Sequence, residues 1–241
     1  MTGTKADIIA RLQKDLLPLQ GFKSHLNNTA LDMELGPIKN AFPGNSFPIG
    51  AIHEFICNAV EDAAVTAGFI ASLLGSLMRK GGVAIWIGCS PTIFPPSLKS
   101  FGIAPDKIIF IDLKKEKEML WVMEEALKCK GLAAVIGELK ELSFTTSRRL
   151  QLAVEQSKVT GFIIRHNPRG LNTTACISRW KITSLLTGSA DELPGVGFPQ
   201  WNVELLKVRN GYPGSWQIEF IAGHFKFVYK QASIPQQRKT G

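Results

Sequence analysis

Short apolar runs alternate with longer amphipathic runs between residues 52 and 165, and this alternation limits the fold more than any other feature of the sequence. Strands that are apolar on both faces must be covered above and below, and in parallel sheets the connecting helices do this. The order therefore predicts a parallel sheet flanked by helices. The predicted strands lie at 52–57, 83–87, 107–111, 132–136 and 162–165, and the predicted helices at 61–79, 95–101, 114–128 and 145–158.

After residue 165 the helical pattern stops and the sequence predicts further strands. Gly211 to Gly214 fits a hairpin turn between two of them. Because hairpins join antiparallel strands, the predicted fold class is α/β, with a flanked parallel sheet and an antiparallel carboxyl-terminal β extension. These additional strands are expected at 176–183, 201–209, 215–221 and 225–229.

The two ends of the chain differ from this core. Residues 5–17 have the apolar spacing of an amphipathic helix, and prolines and glycines punctuate the following stretch up to residue 50. We predict a helix and linker arm over residues 1–40, a core over 41–230 and a polar, basic tail over 231–241. Two interpretations of the arm stay open: it docks on another copy or a partner, or it packs on its own core.

The composition is that of a folded chain. Of 241 residues, 45% are hydrophobic and 20% charged, which excludes an intrinsically disordered protein. The uncharged run at 63–78 is shorter than the roughly 20 residues of a membrane span, and the charged amino terminus is unlike a signal peptide. We therefore predict a cytoplasmic protein without membrane contact. The four cysteines lack metal-ligand spacing, so neither a disulfide framework nor a metal site is expected.

The turn between the first core strand and its helix is where a phosphate-binding loop would lie. Such a loop needs two glycines, a lysine and a hydroxyl residue to cradle phosphates. Here both glycines are missing, alanines occupy the lysine and hydroxyl positions, and Glu61 and Asp62 would repel a triphosphate. We predict no nucleotide cofactor and no ATPase activity. The degenerate turn contains Cys57, Asn58, Ala59, Val60, Glu61, Asp62, Ala63 and Ala64.

Other catalytic patterns are missing from the sequence as well. It contains neither a G-x-S-x-G elbow nor an H-E-x-x-H motif. His53 and Glu54 are neighbours on a predicted strand, so their side chains point to opposite faces. Glu138 follows an apolar strand, and two interpretations stay open: a catalytic acid, or an ion-pair partner of Arg148 or Arg149.

The order of these elements resembles the core of RecA-type recombinases. The pattern P-x-G-x-I-x-E-F at residues 48–55 looks like the strand that leads into the RecA phosphate-binding loop, and Gly81-Gly82 precedes the second strand as in that family. Where RecA proteins carry a catalytic glutamate this chain has Gly88-Cys89-Ser90, and the later acidic position has become Gly137-Glu138. The fold signal is thus retained while the ATPase positions are replaced.

A narrower resemblance, covering roughly residues 45–222, is to the ImuA family. ImuA proteins are RecA-like, related to the cell-division inhibitor SulA, and often lack an intact phosphate-binding loop. The order and spacing of the motifs carry the resemblance more than any single one. The segments that carry it are SRRLQLA at 147–153, SRW at 178–180, WNVEL at 201–205, RNG at 209–211 and GSW at 214–216.

This resemblance implies a role in the SOS response to DNA damage, as a non-catalytic accessory of error-prone translesion synthesis. The implied partners are an ImuB-like homologue of Y-family polymerases and an error-prone replicative-type DNA polymerase, with single-stranded DNA or RecA as further candidates. The arm at 1–40 would allow homo-oligomers, as in RecA-like proteins. Two alternatives stay open: a SulA-like regulator that inhibits another NTPase, and a divergent RecA-like ATPase.

The net charge of +8 favours anionic partners, although charges of both signs interleave along much of the chain. Two predicted loops, after residues 139 and 165, resemble the DNA-facing loops of RecA, and basic residues on the carboxyl-terminal strands fit an outward-facing strand edge. For each group the alternative is an ordinary surface role or an ion pair. The candidate DNA or partner contacts are Lys140, Arg148, Arg149, Arg165, Arg169, Arg179, Lys207 and Arg209.

Overall fold

A nine-stranded mixed sheet organises the part of the chain that the structure describes. The structure is a computed structural model in which residues 33, 35–79, 81–89, 93–185, 198–221 and 223–228 are described. The helix predicted at residues 5–17 and the tail at 231–241 lie outside these residues. The strands are β1 Ile52–Cys57, β2 Val83–Gly88, β3 Ile108–Asp112, β4 Leu132–Leu139, β5 Thr160–His166, β6 Ser178–Leu185, β7 Gln200–Val208, β8 Gly214–Ile221 and β9 His224–Phe227.

The strand order across the sheet is β3-β2-β4-β5-β1-β6-β7-β8-β9. Neighbours from β3 to β6 run parallel, and β6 to β9 form antiparallel pairs. The antiparallel extension therefore begins one strand later than the sequence predicted, because β6 pairs parallel to β1. Residues 167–177 make this arrangement possible: they return the chain across the sheet without forming a helix.

Within the described residues, three α-helices cover the two faces of the parallel region, which confirms the predicted α/β class. Helix α1, Val60–Met78, packs on one face, and helices α2, Glu116–Lys128, and α3, Phe144–Ser157, pack on the other. The helix predicted at 95–101 is a 3-10 turn. Among the described residues, α1 alone is long and apolar enough to cross a membrane by length and composition. Half of that segment is buried within the protein, with apolar side chains against the sheet.

The larger of the two cores lies between the sheet and α1 and is rich in aromatic rings. Phe55 stacks on Trp180 with ring centroids 6.1 Å apart, and Phe69 packs against the same tryptophan at 5.8 Å. Trp180 and Trp201 are buried, and Trp216 is partly buried against the same cluster. The prediction that these three tryptophans are core residues is therefore confirmed.

The segment before β1 belongs to this core as well. Ile38, Phe42 and Phe47 are buried within the α1-side cluster, together with Met33 and Leu35. The packed region therefore includes residues before position 41, where the sequence analysis placed the start of the core. The prolines and glycines of this stretch form tight turns. The apolar side chains between them point into the core.

His53 links the segment before β1 to the sheet through hydrogen bonds and ring stacking. Its Nε2 lies 2.7 Å from the carbonyl oxygen of Pro48 and its Nδ1 lies 2.7 Å from the hydroxyl of Ser178, while the ring stacks on Phe47 at 4.4 Å. A neutral imidazole satisfies both bonds by donating to Pro48 and accepting from Ser178. Burial lowers the pKa of His53 to about 3, although the bond to Pro48 acts in the opposite direction.

This pKa predicts acid sensitivity of the fold. Below pH 6.5 the unfolded chain protonates His53 while the folded chain does not, so stability falls as the pH falls, by about 1.4 kcal/mol per pH unit. Between pH 7 and 5 the His53 contribution to the free energy of unfolding should fall by about 2 kcal/mol. Urea denaturation of wild type and His53→Gln at both pH values measures it. The exposed His224→Gln is the control, and an equal pH dependence in wild type and His53→Gln would contradict the expectation.

Candidate functional site

The turn between β1 and α1 is closed by an acidic side chain of the helix itself. The Asp62 carboxylate accepts the backbone N–H groups of Asn58, at 3.0 Å, and Ala59, at 3.1 Å. These are the backbone donors that a phosphate would need at a helix amino terminus. A carboxylate from α1 thus takes the place of an external anion, and it suits the positive end of the helix dipole.

The other residues of this turn offer little that could hold a nucleotide. Cys57 and Ala63 are buried, whereas Asn58, Glu61 and Ala64 are exposed. The Cys57 thiol donates to the Thr66 hydroxyl at 3.4 Å. Burial raises the pKa of Cys57 to about 11, so this thiol is a packed group and not a reactive thiolate.

Glu138 lies at the carboxyl end of β4 and binds neither Arg148 nor Arg149. Its Oε1 accepts the indole N–H of Trp86 at 2.6 Å, and its Oε2 lies 3.0 Å from Nε2 of His166. The proposed ion pair with Arg148 or Arg149 is therefore wrong. Those arginines instead pair across the surface, Arg148 with Glu155 at 3.5 Å and Arg149 with Glu124 at 2.5 Å.

A cleft of about 410 Å³ opens beside Glu138 and His166, at the ends of parallel strands. Two of its acidic groups are already engaged: Glu138 as described, and Glu116, whose Oε1 accepts the backbone N–H groups of Lys140 and Glu141. The cleft therefore carries charges of both signs, and its acids hold the protein's own donors. Its walls are Cys89, Lys114, Glu116, Met119, Glu138, Leu139, Lys140 and His166.

On the α3 side of the sheet, Glu54 forms the centre of a buried ion cluster. Its Oε1 accepts from Arg165 Nη1 at 2.8 Å, and its Oε2 accepts from Arg179 Nε at 2.8 Å and from the Thr174 hydroxyl at 2.9 Å. Glu54 and Arg165 are completely buried. Three neighbouring strands, β5, β1 and β6, thus each contribute one charged side chain to the same place.

The two arginines of this cluster also hold the crossover at 167–177. Arg165 donates to the side-chain oxygen of Asn172 at 3.2 Å and to Glu141 at 3.1 Å, and Arg179 donates to the Asn172 carbonyl at 2.6 Å. The Arg165 Nε has no hydrogen-bond partner among the described residues. The crossover is therefore fixed by buried charge as well as by packing.

This burial corrects two of the predicted DNA or partner contacts. Arg165 has no exposed surface and Arg179 is 8% exposed, and both guanidinium groups are committed to Glu54. Neither side chain can reach a phosphate without breaking the cluster. The sequence placed Arg179 correctly on a strand, whereas Arg165, expected in the loop after the fifth strand, lies within β5. The sequence also did not show that Glu54 lies between the two arginines.

Lys207 and Arg209 are half-buried and support the crossover from the other side. Lys207 donates to the Thr174 carbonyl at 3.0 Å, and Arg209 donates to the Ala175 carbonyl at 3.0 Å. Both side chains are therefore engaged with the crossover, and they do not extend freely from a strand edge as the sequence suggested. The pairing of β7 with β8 ends at Leu205, so Lys207 lies beyond it and Arg209 follows the strand. Their ammonium and guanidinium groups donate hydrogen bonds to carbonyl oxygens of the crossover, whose backbone belongs to no helix or strand.

Four predicted contacts remain exposed: Lys140, Arg148, Arg149 and Arg169. They lie after β4, on the first turns of α3 and after β5. Acidic groups stand among them, since Arg148 and Arg149 are ion-paired and the backbone N–H of Arg169 binds Glu141 at 3.1 Å. Acidic groups therefore stand next to three of these four basic residues.

Glu54, Asn172 and Thr174 are the structurally important polar residues that sequence reasoning missed. A usable signal was present: Glu54 is a charged residue in an otherwise apolar strand, and Arg165 ends another apolar strand. Charges in strands that are buried on both faces are nearly always paired. The partners of Glu54 lie on other strands more than a hundred positions away, so the local pattern around His53 and Glu54 does not reveal them.

The fold and this site together define an α/β protein in which a carboxylate of α1 binds the backbone donors of the turn after β1. The chain belongs to the ImuA family. It is 34% identical to Protein ImuA of Caulobacter vibrioides (strain NA1000 / CB15N) over 209 residues, covering 81% of this chain and 86% of that relative. Protein ImuA of strain ATCC 19089 / CIP 103742 / CB 15 matches equally well.

A second, weaker similarity is to proteins named Cell division inhibitor SulA. The protein of Yersinia pestis (strain Pestoides F) is 26% identical over 141 residues, covering 58% of this chain and 81% of that relative. The Yersinia pseudotuberculosis serotype O:1b (strain IP 31758) protein matches to the same extent. No protein-family model matches the chain.

Substituting the central acid of the ion cluster should destabilise the fold strongly. Glu54→Gln leaves the Arg179 guanidinium without its carboxylate partner and leaves buried Arg165 with only the half-exposed Glu141, which costs about 3–5 kcal/mol. Glu155→Gln, which removes the surface partner of Arg148, should cost less than about 1 kcal/mol. Chemical denaturation of the two variants measures the difference. Equal, small losses of stability in the two variants would show that the ion cluster does not stabilise the fold more than a surface ion pair does.

Proposed function

We propose that this protein is a non-catalytic accessory of DNA-damage-induced, error-prone translesion synthesis that acts through protein contacts in the cytoplasm. Membership of the ImuA family carries the proposal. By the resemblance given above, the expected partners are an ImuB-like homologue of Y-family polymerases and an error-prone replicative-type polymerase. The 86% coverage of the Caulobacter relative supports comparison over most of its length.

The closed turn at Asp62 supports a role without ATP hydrolysis. A triphosphate would have to displace a carboxylate from two backbone donors, and no lysine stands in the turn to neutralise the phosphates. The chain would then use its RecA-like sheet as a binding scaffold and would not hydrolyse ATP. A divergent ATPase, the alternative, would need this turn to open.

We expect no heat of Mg-ATP binding in titration calorimetry of the wild-type protein. Asp62→Asn should not create binding either, because the lysine is still missing, but it should lower the free energy of unfolding by about 1 kcal/mol through the weakened cap. Micromolar affinity for Mg-ATP in either protein would refute the proposed non-catalytic role.

The charge distribution favours a protein partner over DNA at the exposed basic surface. Phosphate backbones select surfaces with an excess of positive charge. Here Arg148 and Arg149 are paired with Glu155 and Glu124, and two of the eight predicted contacts are buried. Mixed charges of this kind instead suit the polar rim of a protein interface, where they set partner choice and association rate.

The partner test combines binding with a cellular readout. Arg148→Glu with Arg149→Glu should weaken capture of the purified ImuB-like partner about tenfold or more, and should lower damage-induced mutation in a strain lacking the native gene. Lys226→Glu, an exposed change on β9, is the matched control. Fluorescence anisotropy with single-stranded DNA in a salt series serves as a separate measurement, and salt-sensitive binding lost in the double variant would shift the proposal to DNA.

The similarity to SulA-named proteins favours one second candidate, a regulator that inhibits another NTPase. The same strain distinguishes the two functions. Cell filamentation on overexpression, with damage-induced mutation unchanged by deletion, would support the regulator and contradict the mutagenesis accessory.

A further inference from the structure

A second cleft, of about 540 Å³, lies at the carboxyl-terminal end of α1. Its walls are the last turns of α1, the 3-10 turn Pro95–Phe101 with Gly102, and the turn between β8 and β9. At about 1.5 Å of rise per helical residue, α1 carries Ser76 about 20 Å away from Asp62. This cleft is therefore separate from the turn after β1.

Close packing of backbone gives the cleft its shape. A Cβ atom at Gly75 would overlap the carbonyl oxygen of Phe101, so glycine is what allows the 3-10 turn to lie against α1. Gly223 has a φ of +89° and lies next to the carbonyl oxygen of Ser100. The ring of Phe101 stacks on Phe220, with ring centroids 4.7 Å apart. The three walls thus hold one another in place.

The ionisable side chains in the described lining of this cleft are all basic. Arg79, Lys99 and His224 lie there, and no aspartate or glutamate is among the described lining residues. The end of α1 opposes this charge, because the carboxyl terminus of a helix carries about half a unit of negative charge. The full positive charges of Arg79 and Lys99 outweigh it. The cleft therefore attracts an anion.

Serine hydroxyls supply hydrogen-bond donors in the same cleft. Ser72, Ser76 and Ser100 line it, and their hydroxyls form no hydrogen bond with a described residue. Ser76 is only 6% exposed. Within the described part of the chain, Arg165 Nε alone is both fully enclosed and without a partner, so the Ser76 hydroxyl reaches the solvent of the cleft. It is a buried donor that a ligand could engage.

We propose that this cleft binds a small metabolite through a phosphate group. Arginine and lysine form charge-assisted hydrogen bonds with phosphate oxygens, and serine hydroxyls donate to the same oxygens. Pockets for small molecules enclose about 300–1,000 Å³. A volume of about 540 Å³ therefore holds a phosphate and leaves room for an organic group against Met78 and Phe101.

The site takes phosphate that is not bound to magnesium. Mg²⁺ in proteins is usually held by carboxylates, and the described lining of this cleft offers none. The expected absence of Mg-ATP binding at the turn after β1 is thus a separate prediction, and this proposal does not depend on the role in translesion synthesis.

Equilibrium dialysis of the full chain in magnesium-free buffer tests the proposal. The radiolabelled probes are inorganic pyrophosphate and ribose 5-phosphate. At least one should bind saturably, at about one equivalent per chain, with a dissociation constant below about 1 mM. Tighter binding of the sugar phosphate would identify an organic phosphate as the ligand, and tighter binding of pyrophosphate an inorganic one. Absence of saturable binding by both would overturn the proposal.

Three variants separate local recognition from overall charge. Lys99→Glu should raise the dissociation constant at least tenfold, whereas Lys130→Glu, the same change at an exposed lysine outside the cleft, should alter it less than twofold. Ser76→Ala should weaken binding about tenfold with an unchanged urea midpoint, because it removes a donor to a charged group and no bond to a described residue.

Two results with these proteins would contradict the assignment. Equal weakening by Lys99→Glu and Lys130→Glu would show that net charge alone attracts the probes. Displacement of the probes by an equimolar single-stranded oligonucleotide would assign the basic side chains of the cleft to nucleic acid and not to a small metabolite.

Discussion

The buried carboxylate of Glu54 is the constraint around which this structure is arranged. A charge without access to water is tolerated only when opposite charges and hydrogen bonds surround it, and Arg165, Arg179 and Thr174 supply them. This requirement fixes β5, β1 and β6 side by side. It also holds the irregular crossover at 167–177, because both arginines bind Asn172. Ordinary hydrophobic packing would set the spacing of these strands, but it would not specify the path of that segment as closely.

Other polar groups at the ends of the strands are likewise bound by the protein itself. Asp62 binds the donors of the turn after β1, and Glu138 at the end of β4 is held by Trp86 and His166. These two carboxylates are thus engaged with groups of the protein itself.

Periodicity predicted the α/β class and nearly every helix and strand, because elements buried on both faces leave a strong apolar signal. Two features were not predictable in this way. The parallel pairing of β6 depends on an irregular crossover, whose course is set by side-chain bonds to Arg165 and Arg179 and not by local pattern. Burial of those arginines depends on Glu54, more than a hundred residues away in sequence. The residue types of the turn after β1 were visible in the sequence, but the bonds of Asp62 to the backbone of that turn required coordinates.

The central place of β1 has a consequence for how the chain is made. Both of its neighbours, β5 and β6, lie far downstream, and the bond between His53 and Ser178 spans 125 positions. During synthesis β1 therefore leaves the ribosome long before any strand exists to pair with it. At about 5–20 residues per second, an apolar strand waits many seconds without its neighbours. Protection of the nascent chain by chaperones, more than the stability of the finished sheet, would then govern the yield of native protein.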